Sequence, residues 1–358
     1  MRPIVALDAR LITSSNTGDS SYWRGLVGGL IELDPDIQFL LYSNAPRPDW
    51  IPENEKFSWK VVEPSSSRQW SWFDFPEAAL EAGAKAVHTQ YSLSPLLKDV
   101  GITTIHDVSF MIGPRWFGLK DLFILRTQIP ATVKRAQKII TVSETSRSEI
   151  ETFLPAAIGK TEVTYNALGK NIAPMPKEKA EAMVRELGIT EPYLFTVGTR
   201  WPRKNMALAV EAVKHLPDEV TNRLVVTGKP GWGKEDFHDR VTATGYVSDE
   251  QLTALYQCAE MYLAPSRHEG FGIPLLEAWA CETPVVCSMG GALPEVADDA
   301  AEVVESWQAQ DWADAISNLL QDSSKLERLR EAGRKRLNDF SWRDTAQKTV
   351  EIYREVIG

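Results

Sequence analysis

Short apolar runs alternate with longer amphipathic ones twice over along this chain, and that alternation limits the fold more than any other feature. The first series of strand-like runs reads PIVALDA, IQFLLYS, SWKVVE, AVHTQ, ITTIHDV and KIITVS. The second reads YLFTVGT, RLVVTG, VTATGYV, EMYLAPS, PVVCS and AEVVE. Helix-like runs separate many of them, among them SYWRGLVGGLIEL, MALAVEAVKHL, DEQLTALYQCA and the long WADAISNLLQDSSKLERLREAGRKRL. Strand–helix alternation lays strands parallel in one sheet with crossover helices on its faces. Two such series imply an α/β protein of two doubly wound domains, which suits 358 residues. The boundary is expected within Asn166 to Tyr193, where Pro174 and Pro176 precede a charge-rich helix candidate. We therefore expect domains over residues 1–170 and 171–340, and a closing helix over 341–358. That helix begins at a capping Ser341 and is amphipathic through Ala346, Val350, Tyr353 and Val356 or Ile357.

Composition narrows the function classes. A net charge of −10 argues against a general nucleic-acid binder, which has to neutralise phosphates. The opening MRPIVALDAR reads as a strand and loop rather than a leader, and no run approaches the ~18 apolar residues of a membrane span. Cys258, Cys281 and Cys287 lack metal-site spacing and read as reduced thiols of a cytoplasmic protein. One region departs from the acidic average. Arg115, Lys120, Arg126, Lys134, Arg135 and Lys138 face the single acid Asp121, with WFGL and LFIL interleaved. Such a stretch suits either a solvated basic helix or a face resting on anionic lipid headgroups.

The chemistry concentrates where strands end. In YLAPSRHEGFGIPLLEAWAC, Glu269 precedes a glycine loop and Glu277 falls about one turn into a helix that Pro274 opens. The free N–H groups of that helix start lie between the two carboxylates and suit an anion such as a diphosphate. A plain glycine turn with Glu277 on a helix surface is the alternative. TVGTRWPRKN is again strand, turn and helix start, and its Arg200, Arg203 and Lys204 would meet a diphosphate or stabilise a departing one. Surface charge is the plainer reading of Arg200. After the first strand, Gly18, Asp19 and Ser20 can bring backbone N–H groups to a phosphate, although the full G-x-G-x-x-G pattern is missing. TTIHDVSF sets His106 and Asp107 at a strand end, where a histidine can hydrogen-bond a sugar hydroxyl, move a proton, or simply pack. His88 has a similar setting, and His215 and His238 read as surface residues. The acidic Asp34 and Asp36 of DPD lie in a turn, and no ligand cluster suggests a metal.

Taken together these residues resemble the retaining glycosyltransferases of the GT-B fold, specifically glycosyltransferase family four. EGFGIPLLE, Glu269 to Glu277, is similar to that family's E-x-seven-E signature. VGTRWPRKN resembles its G-T-x-x-P-R-K-N phosphate segment, while TTIHDVSF, AQKIITVSE and LDARL extend the likeness across nearly the whole chain. The resemblance implies two Rossmann-like domains facing across a cleft, acceptor side first and nucleotide-sugar side second, with the last helix able to return to the first domain. It gives Glu277 the ribose hydroxyls of the donor and Glu269 the hydroxyls of the donor sugar. Backbone at Phe271, Gly272 and Ile273 would hold sugar and diphosphate, with Gly198 beside them. Arg203 and Lys204 would neutralise the leaving diphosphate, Tyr246 and Val247 would lie against the base, and His106 would contact the sugar. His106, Glu269 and Lys204 are thus the catalytic expectations. Gly18 and Ser20 join the donor contacts, with no metal and no cofactor beyond the nucleotide-sugar itself.

Some positions depart from the family pattern. Ser20 stands where relatives often have a second glycine, Trp201 where an acid is common, and Glu282 where CGTPVV has glycine. NALG replaces the usual NGV at the domain junction. The expected reaction is transfer of a hexose with retention, mannose from GDP-mannose first and UDP sugars next, to a glycan or lipid-linked acceptor in envelope polysaccharide synthesis. A nucleotide-sugar epimerase or phosphorylase of the same fold, or a non-catalytic sugar-nucleotide-binding subunit, are the alternatives. A glycosidase fits worst, since its two carboxylates must flank one bond. Acceptor contacts are expected in SRQWSWFDFP and MIGPRWFGLKD, whose aromatic residues suit sugar, lipid or plain packing.

Overall fold

The computed structural model describes residues 2–14, 18–63, 66, 69–169, 171–217, 219–220, 223–230 and 237–358. Residues 15–17 of the first loop and 67–68 of the SRQWSWFDFP segment lie outside them. The chain divides into two compact units: Met1–Asn166 with Ser341–Gly358, and Ala167–Phe340.

Unit 1 carries strands β1 (Ile4–Asp8), β2 (Gln38–Ser43), β3 (Phe57–Val61), β4 (Ala86–Gln90), β5 (Gly101–Thr104), β6 (Lys138–Thr141) and β7 (Thr161–Val163). They form one sheet in the order β3-β2-β1-β4-β5-β6-β7, with every pairing parallel. Strand order reverses between β1 and β4, so ligand-binding loops are expected beyond the carboxyl ends of those strands. Strand β7 is absent from the expected series. It has three residues with Glu162 at its centre and sits at the sheet edge, so it carries almost no apolar signal.

Helix α1 (Gly18–Leu33) follows β1, and α2 (Leu119–Arg135) leads toward β6. The glycines of GLVGGL explain how the closing helix Trp342–Ile357 comes to rest on α1. A Cβ at Gly25 would lie 2.0 Å from Trp342 Cε2, and one at Gly29 would lie 2.2 Å from the Trp342 carbonyl oxygen. Two glycines one turn apart thus remove the bulk that would hold the helices apart, at a cost in helix propensity of roughly 1 kcal/mol each. Thr345 donates to the Tyr165 carbonyl, and Lys138 ion-pairs with Glu355 at 2.6 Å, fastening both ends of the closing helix to unit 1.

Unit 2 carries β8 (Tyr193–Val197), β9 (Arg223–Thr227), β10 (Val241–Gly245), β11 (Met261–Ala264), β12 (Val285–Ser288) and β13 (Glu302–Val304). Its sheet is also wholly parallel, in the order β10-β9-β8-β11-β12-β13, and reverses between β8 and β11. Helices α3 (Met206–Lys214), α4 (Asp249–Gln257) and α5 (Ile273–Ala280) follow β8, β10 and β11. The long run WADAISNLLQDSSKLERLREAGRKRL is two helices rather than one, Ala309–Gln321 and Ser323–Arg336. Asp322 makes the break, because its carboxylate accepts from the Lys325 N–H at 2.8 Å and caps the second helix.

Among the described residues, no helix is long and apolar enough to cross a membrane. All three cysteines are free, and burial pushes the thiols of Cys281 and Cys287 up to about 12.

Candidate active site

The loops after β8 and β11 meet at the point where strand order reverses. The first contains Pro202–Lys204 as a single tight turn; the second runs from Pro265 to Gly272. Backbone contacts fasten them together: the Arg267 N–H donates to Arg203 O at 2.8 Å, and Asn205 Nδ2 donates to Pro265 O at 3.1 Å. Residues 65 positions apart in sequence thereby form one charged group. Lys204 Nζ lies 2.6 Å from Glu269 Oε1, and Arg203 Nη1 lies 3.1 Å from Glu269 Oε2. Ser266 Oγ donates to Glu269 Oε1 at 2.5 Å. The same arginine nitrogen donates to His268 O at 2.8 Å.

Electrostatics follow from that geometry. Burial by itself would raise the pKa of Glu269, but the Lys204 and Arg203 charges outweigh it and hold the carboxyl at about 2. Glu269 is therefore ionised at neutral pH and has no proton to give as a general acid. Its charge holds two cations at the carboxyl edge of the sheet, where Lys204 uses one of its three N–H donors on Glu269.

Helix α5 opens next to this group. Gly272 precedes it with φ +106°, and a Cβ there would come within 2.8 Å of Leu293 Cδ2, so the approach to the helix start requires glycine. Phe271 is buried beneath, its ring edge-on to Phe340 with centroids 5.3 Å apart. The helix begins at Ile273, which makes Pro274 its second residue and Glu277 its fifth. Glu277 thus stands just past the first turn rather than on it. It is not a bare helix-surface carboxylate either: Tyr256 Oη, from α4, donates to Glu277 Oε2 at 2.8 Å. Burial raises the Glu277 pKa, with Tyr256 and Lys204 pulling it back. Neither Tyr256 nor Ser266 stood among the expected site residues. Each acts through a contact that only the folded chain creates, although Ser266 lies three residues from the glutamate it serves.

The remaining expected positions of unit 2 spread along the same edge. Gly198 follows β8 directly, its N–H donating to Thr227 O at 3.0 Å. Arg200 lies over the Phe237 ring at 5.6 Å. Beyond β10, Val247 is buried and Tyr246 is 68% exposed, with Lys229 Nζ 5.9 Å from its ring centroid. A flat, exposed ring beside a cation is a stacking surface for a heterocycle.

Unit 1 gathers a second set. Gly18, Asp19 and Ser20 form the first turn of α1, not a loop before it. His106, past the end of β5, brings its Nε2 to 3.6 Å from Asp19 Oδ1 and packs edge-on against Tyr22 with centroids 4.9 Å apart. Burial lowers the His106 pKa, opposed by the Asp19 and Asp107 charges. Its Nε2 has no hydrogen-bond partner among the described residues. Asp107 is turned to structure and accepts from Ser109 N and Oγ at 2.9 and 2.6 Å.

His88 differs from His106 in kind. Both of its ring nitrogens are engaged, Nδ1 with Tyr353 Oη at 2.8 Å and Nε2 with Thr104 Oγ1 at 2.7 Å, and it is fully buried. It is a core histidine. His215 is exposed as expected, whereas His238 is partly buried, with Nε2 3.1 Å from Val210 O. Asp34 and Asp36 pair with Lys56 and Arg2, at 2.7 and 2.6 Å. Among the described residues, no group of three or more His, Cys, Asp or Glu side chains is arranged to hold a metal ion. The basic stretch does not form one face: Lys138 is ion-paired to Glu162 and Glu355, and Arg135 turns toward Trp72.

Comparison with known proteins agrees with this architecture. The family model of the group 1 glycosyl transferases matches residues 179–336, which include the whole Lys204–Glu269–Glu277 region. O-antigen chain mannosyltransferase B of Escherichia coli is 30% identical over 265 residues, 71% of this chain and 70% of that protein. Among solved structures, sucrose-phosphate synthase from Thermosynechococcus elongatus superposes with a TM-score of 0.75 at 20% identity, covering 99% of each chain. Anabaena HepE, solved in complex with UDP and glucose, superposes with a TM-score of 0.71 at 15% identity over 99% of this chain and 100% of that one. The chain belongs to the group 1 glycosyl transferases and is a glycosyltransferase of the GT-B fold.

Proposed function

We propose that this enzyme transfers a hexose with retention from a nucleotide-sugar to a glycan or lipid-linked acceptor, with mannose and GDP-mannose as first choice. The observation that carries the reading is the ion-paired Lys204–Glu269–Arg203 group beside the α5 start. Two cations held at a helix N-terminus suit a diphosphate better than any neutral ligand. The mannose assignment is supported by the name of the 30%-identical Escherichia coli relative, and a nucleotide donor by the HepE complex with UDP.

In this reading the Glu277 carboxylate accepts from the ribose hydroxyls, oriented by Tyr256. Glu269 orients Lys204 and Arg203 and accepts from the sugar's hydroxyls. Tyr246 supports the base. The first turn of α1, with Gly18 and Ser20, offers N–H groups to the donor, and His106, kept neutral by burial, hydrogen-bonds a sugar hydroxyl. As the bond from the anomeric carbon to phosphate oxygen breaks, Lys204 and Arg203 stabilise the charge on the leaving diphosphate. The acceptor oxygen bonds to the same face of the carbon, and its proton passes to the leaving phosphate oxygen. The leaving-group charge is thus met by side chains, so turnover should survive chelation of divalent metals.

We place the enzyme at the inner face of the cytoplasmic membrane, in peripheral contact. Leu119 is 87% and Phe123 70% exposed on α2, beside the exposed Arg115, Lys120 and Arg126. Sedimentation with anionic but not neutral vesicles would bear this out, and equal recovery with both would sink it.

The deciding experiment on the reaction is a melting-temperature panel with GDP, UDP, dTDP, ADP and their sugar conjugates. A nucleotide at 100 times its Kd adds about 2.7 kcal/mol of stability. One nucleotide should raise the melting point, and Glu277→Ala should abolish the rise. A folded protein that responds to none would end the reading. Turnover of the sugar-nucleotide with no acceptor present would favour the epimerase instead.

A further inference from the structure

A pocket of about 210 Å³ opens in unit 1 just past the carboxyl end of β4. Three stretches distant in sequence supply the walls: Trp72, Ser92, and Thr127, Gln128 and Arg135 of α2. At this volume it is smaller than the several hundred cubic ångströms of a drug-sized ligand's site, and it admits one ring rather than a chain. The location is informative. Tyr91, the residue between β4 and Ser92, has its ring 5.7 Å from that of His106, so the pocket and the unpartnered histidine share one edge of the sheet.

Its chemistry is one-sided. Arg135 is the only charged residue lining it among the described residues. The guanidinium lies 5.7 Å from the Trp72 ring centroid, and Nη1 donates to Leu93 O at 3.2 Å. That is the side chain's one hydrogen bond among the described residues, and no carboxylate pairs with it there. A guanidinium presents five N–H donors in a planar fork matched to carboxylate or phosphate. Beside it stand an indole, the hydroxyls of Ser92, Thr127 and Thr132, and an amide. An indole suits the C–H face of a pyranose, which is apolar and weakly positive against the negative ring face. Hydroxyls and an amide suit the ring's own hydroxyls.

We propose that this pocket holds one anionic sugar ring of the acceptor, a uronate or a sugar phosphate, with its charge on Arg135 and its ring against Trp72. The assignment to the acceptor rests on the glycosyl-transfer reading given above. A carboxylate and a phosphate offer the same bidentate oxygens, and the test separates them.

Ligand-observed NMR titrations of the full chain with D-glucuronate, mannose 6-phosphate, inorganic phosphate and methyl α-mannoside test the idea. At least one of the two anionic sugars should bind at least tenfold more tightly than methyl mannoside. Arg135→Ala should weaken that binding tenfold or more, Arg135→Lys less, and Trp72→Ala should weaken every sugar. Whichever of glucuronate and mannose 6-phosphate binds more tightly identifies the charge. Equal binding of the anionic sugars by wild type and Arg135→Ala would overturn the proposal, as would a mannoside that matches them or the failure of all the sugars to bind. Inorganic phosphate binding as tightly as mannose 6-phosphate would overturn the sugar part. The melting-point response to nucleotide, expected unchanged in the Arg135 and Trp72 variants, reports that each is folded. Sugar binding that depends on Arg135 in a protein indifferent to every nucleotide would leave the pocket standing and remove the donor reading. Nucleotide binding without sugar binding would do the reverse.

Discussion

At the carboxyl edge of unit 2, Lys204, Arg203 and Glu269 form a buried group in which every charge has a partner. At the corresponding edge of unit 1 the histidines are neutral: His88 joins Tyr353 and Thr104, Tyr22 Oη lies 3.0 Å from Thr104 Oγ1, and His106 Nε2 has no hydrogen-bond partner among the described residues, with Asp19 Oδ1 3.6 Å away. The two sheets share one topology rule, parallel with a single reversal of order, yet their edges solve the burial of polar atoms in opposite ways. Charge can be buried only in pairs, so unit 2 keeps its cations by supplying Glu269. Unit 1 keeps its histidines by letting burial strip their protons.

Removing Glu269 should break the comparison most sharply. Glu269→Ala strands two cations whose side chains are less than one-fifth exposed. Loss of one member of such a group costs about 3–5 kcal/mol. Denaturant unfolding should register that loss, and Glu269→Gln, which keeps the shape and the acceptor oxygen, should lose less. A loss below about 1 kcal/mol for the alanine variant would mean that the group is not held together by charge.

Acid should act on the other edge. Burial, with a smaller push from His106, lowers the His88 pKa to about 3. The unfolded chain takes up that proton near pH 6.5, the folded chain only near 3, so stability rises with pH between them. The His88 contribution is complete above about pH 6.5. It falls by about 1.4 kcal/mol per pH unit below that, some 3 kcal/mol by pH 4. Glu269 has the depressed carboxyl of the opposite edge. Its contribution is present above the ordinary glutamate value and is lost as pH falls toward 2. Stability measured from pH 7 to 4 should therefore report the histidines of unit 1 first, and the carboxylate of unit 2 only at the acid end. A His88 ring resonance that titrated near 6 would contradict the buried network.

Much of this was legible in the sequence, and the exceptions have physical causes. Twelve of the thirteen described strands fall on the apolar runs, because a parallel strand is buried on both faces and shows as a continuous run. Strand β7 escaped because three residues around Glu162 carry no such run. The helix break at Asp322 was legible as a cap residue and was hidden by the amphipathic pattern on both sides. Glu269, Glu277, Lys204 and His106 stood out by type and position at strand ends. What no spacing could reveal is that Lys204 and Glu269 touch, that Tyr256 reaches Glu277, and that His88 closes on Tyr353 some 265 positions away. Those contacts are products of how strands and helices pack once the chain has folded.

Tyr256→Phe is a finer probe of unit 2. It removes one hydrogen bond, worth about 0.5–1.5 kcal/mol, and leaves the packing of a fully buried ring. Nucleotide should bind up to about tenfold more weakly. Burial already raises the Glu277 pKa and Tyr256 opposes it, so the phenylalanine variant should also lose nucleotide binding at a higher pH than wild type. Weakened binding with an unchanged pH profile would mean that Tyr256 supports the pocket's shape and not the Glu277 charge.

The smallest effect should come from Glu282, and its sign is opposite. Helix α5 ends with the Glu282 N–H donating to Trp279 O at 3.0 Å and the Thr283 N–H donating to Ala278 O at 2.9 Å. This is the Schellman pairing, in which the residue after the cap adopts a left-handed conformation and is usually glycine. Glu282 adopts it with φ +58°, and that explains physically why CGTPVV has glycine there. The strain of a side chain in that region is roughly 1–2 kcal/mol, and glycine's extra freedom in the unfolded chain returns part of it. Glu282→Gly should therefore stabilise the protein by about 0.5–1 kcal/mol. Glu282 stands at the far end of α5 from Gly272 and the charged group, so nucleotide affinity should not change. A rise in melting temperature at constant affinity would separate the stability of unit 2 from the chemistry of its edge. A shift in affinity would instead mean that strain at one end of α5 is felt at the other, and that the donor site is set by the whole helix rather than by its first turn.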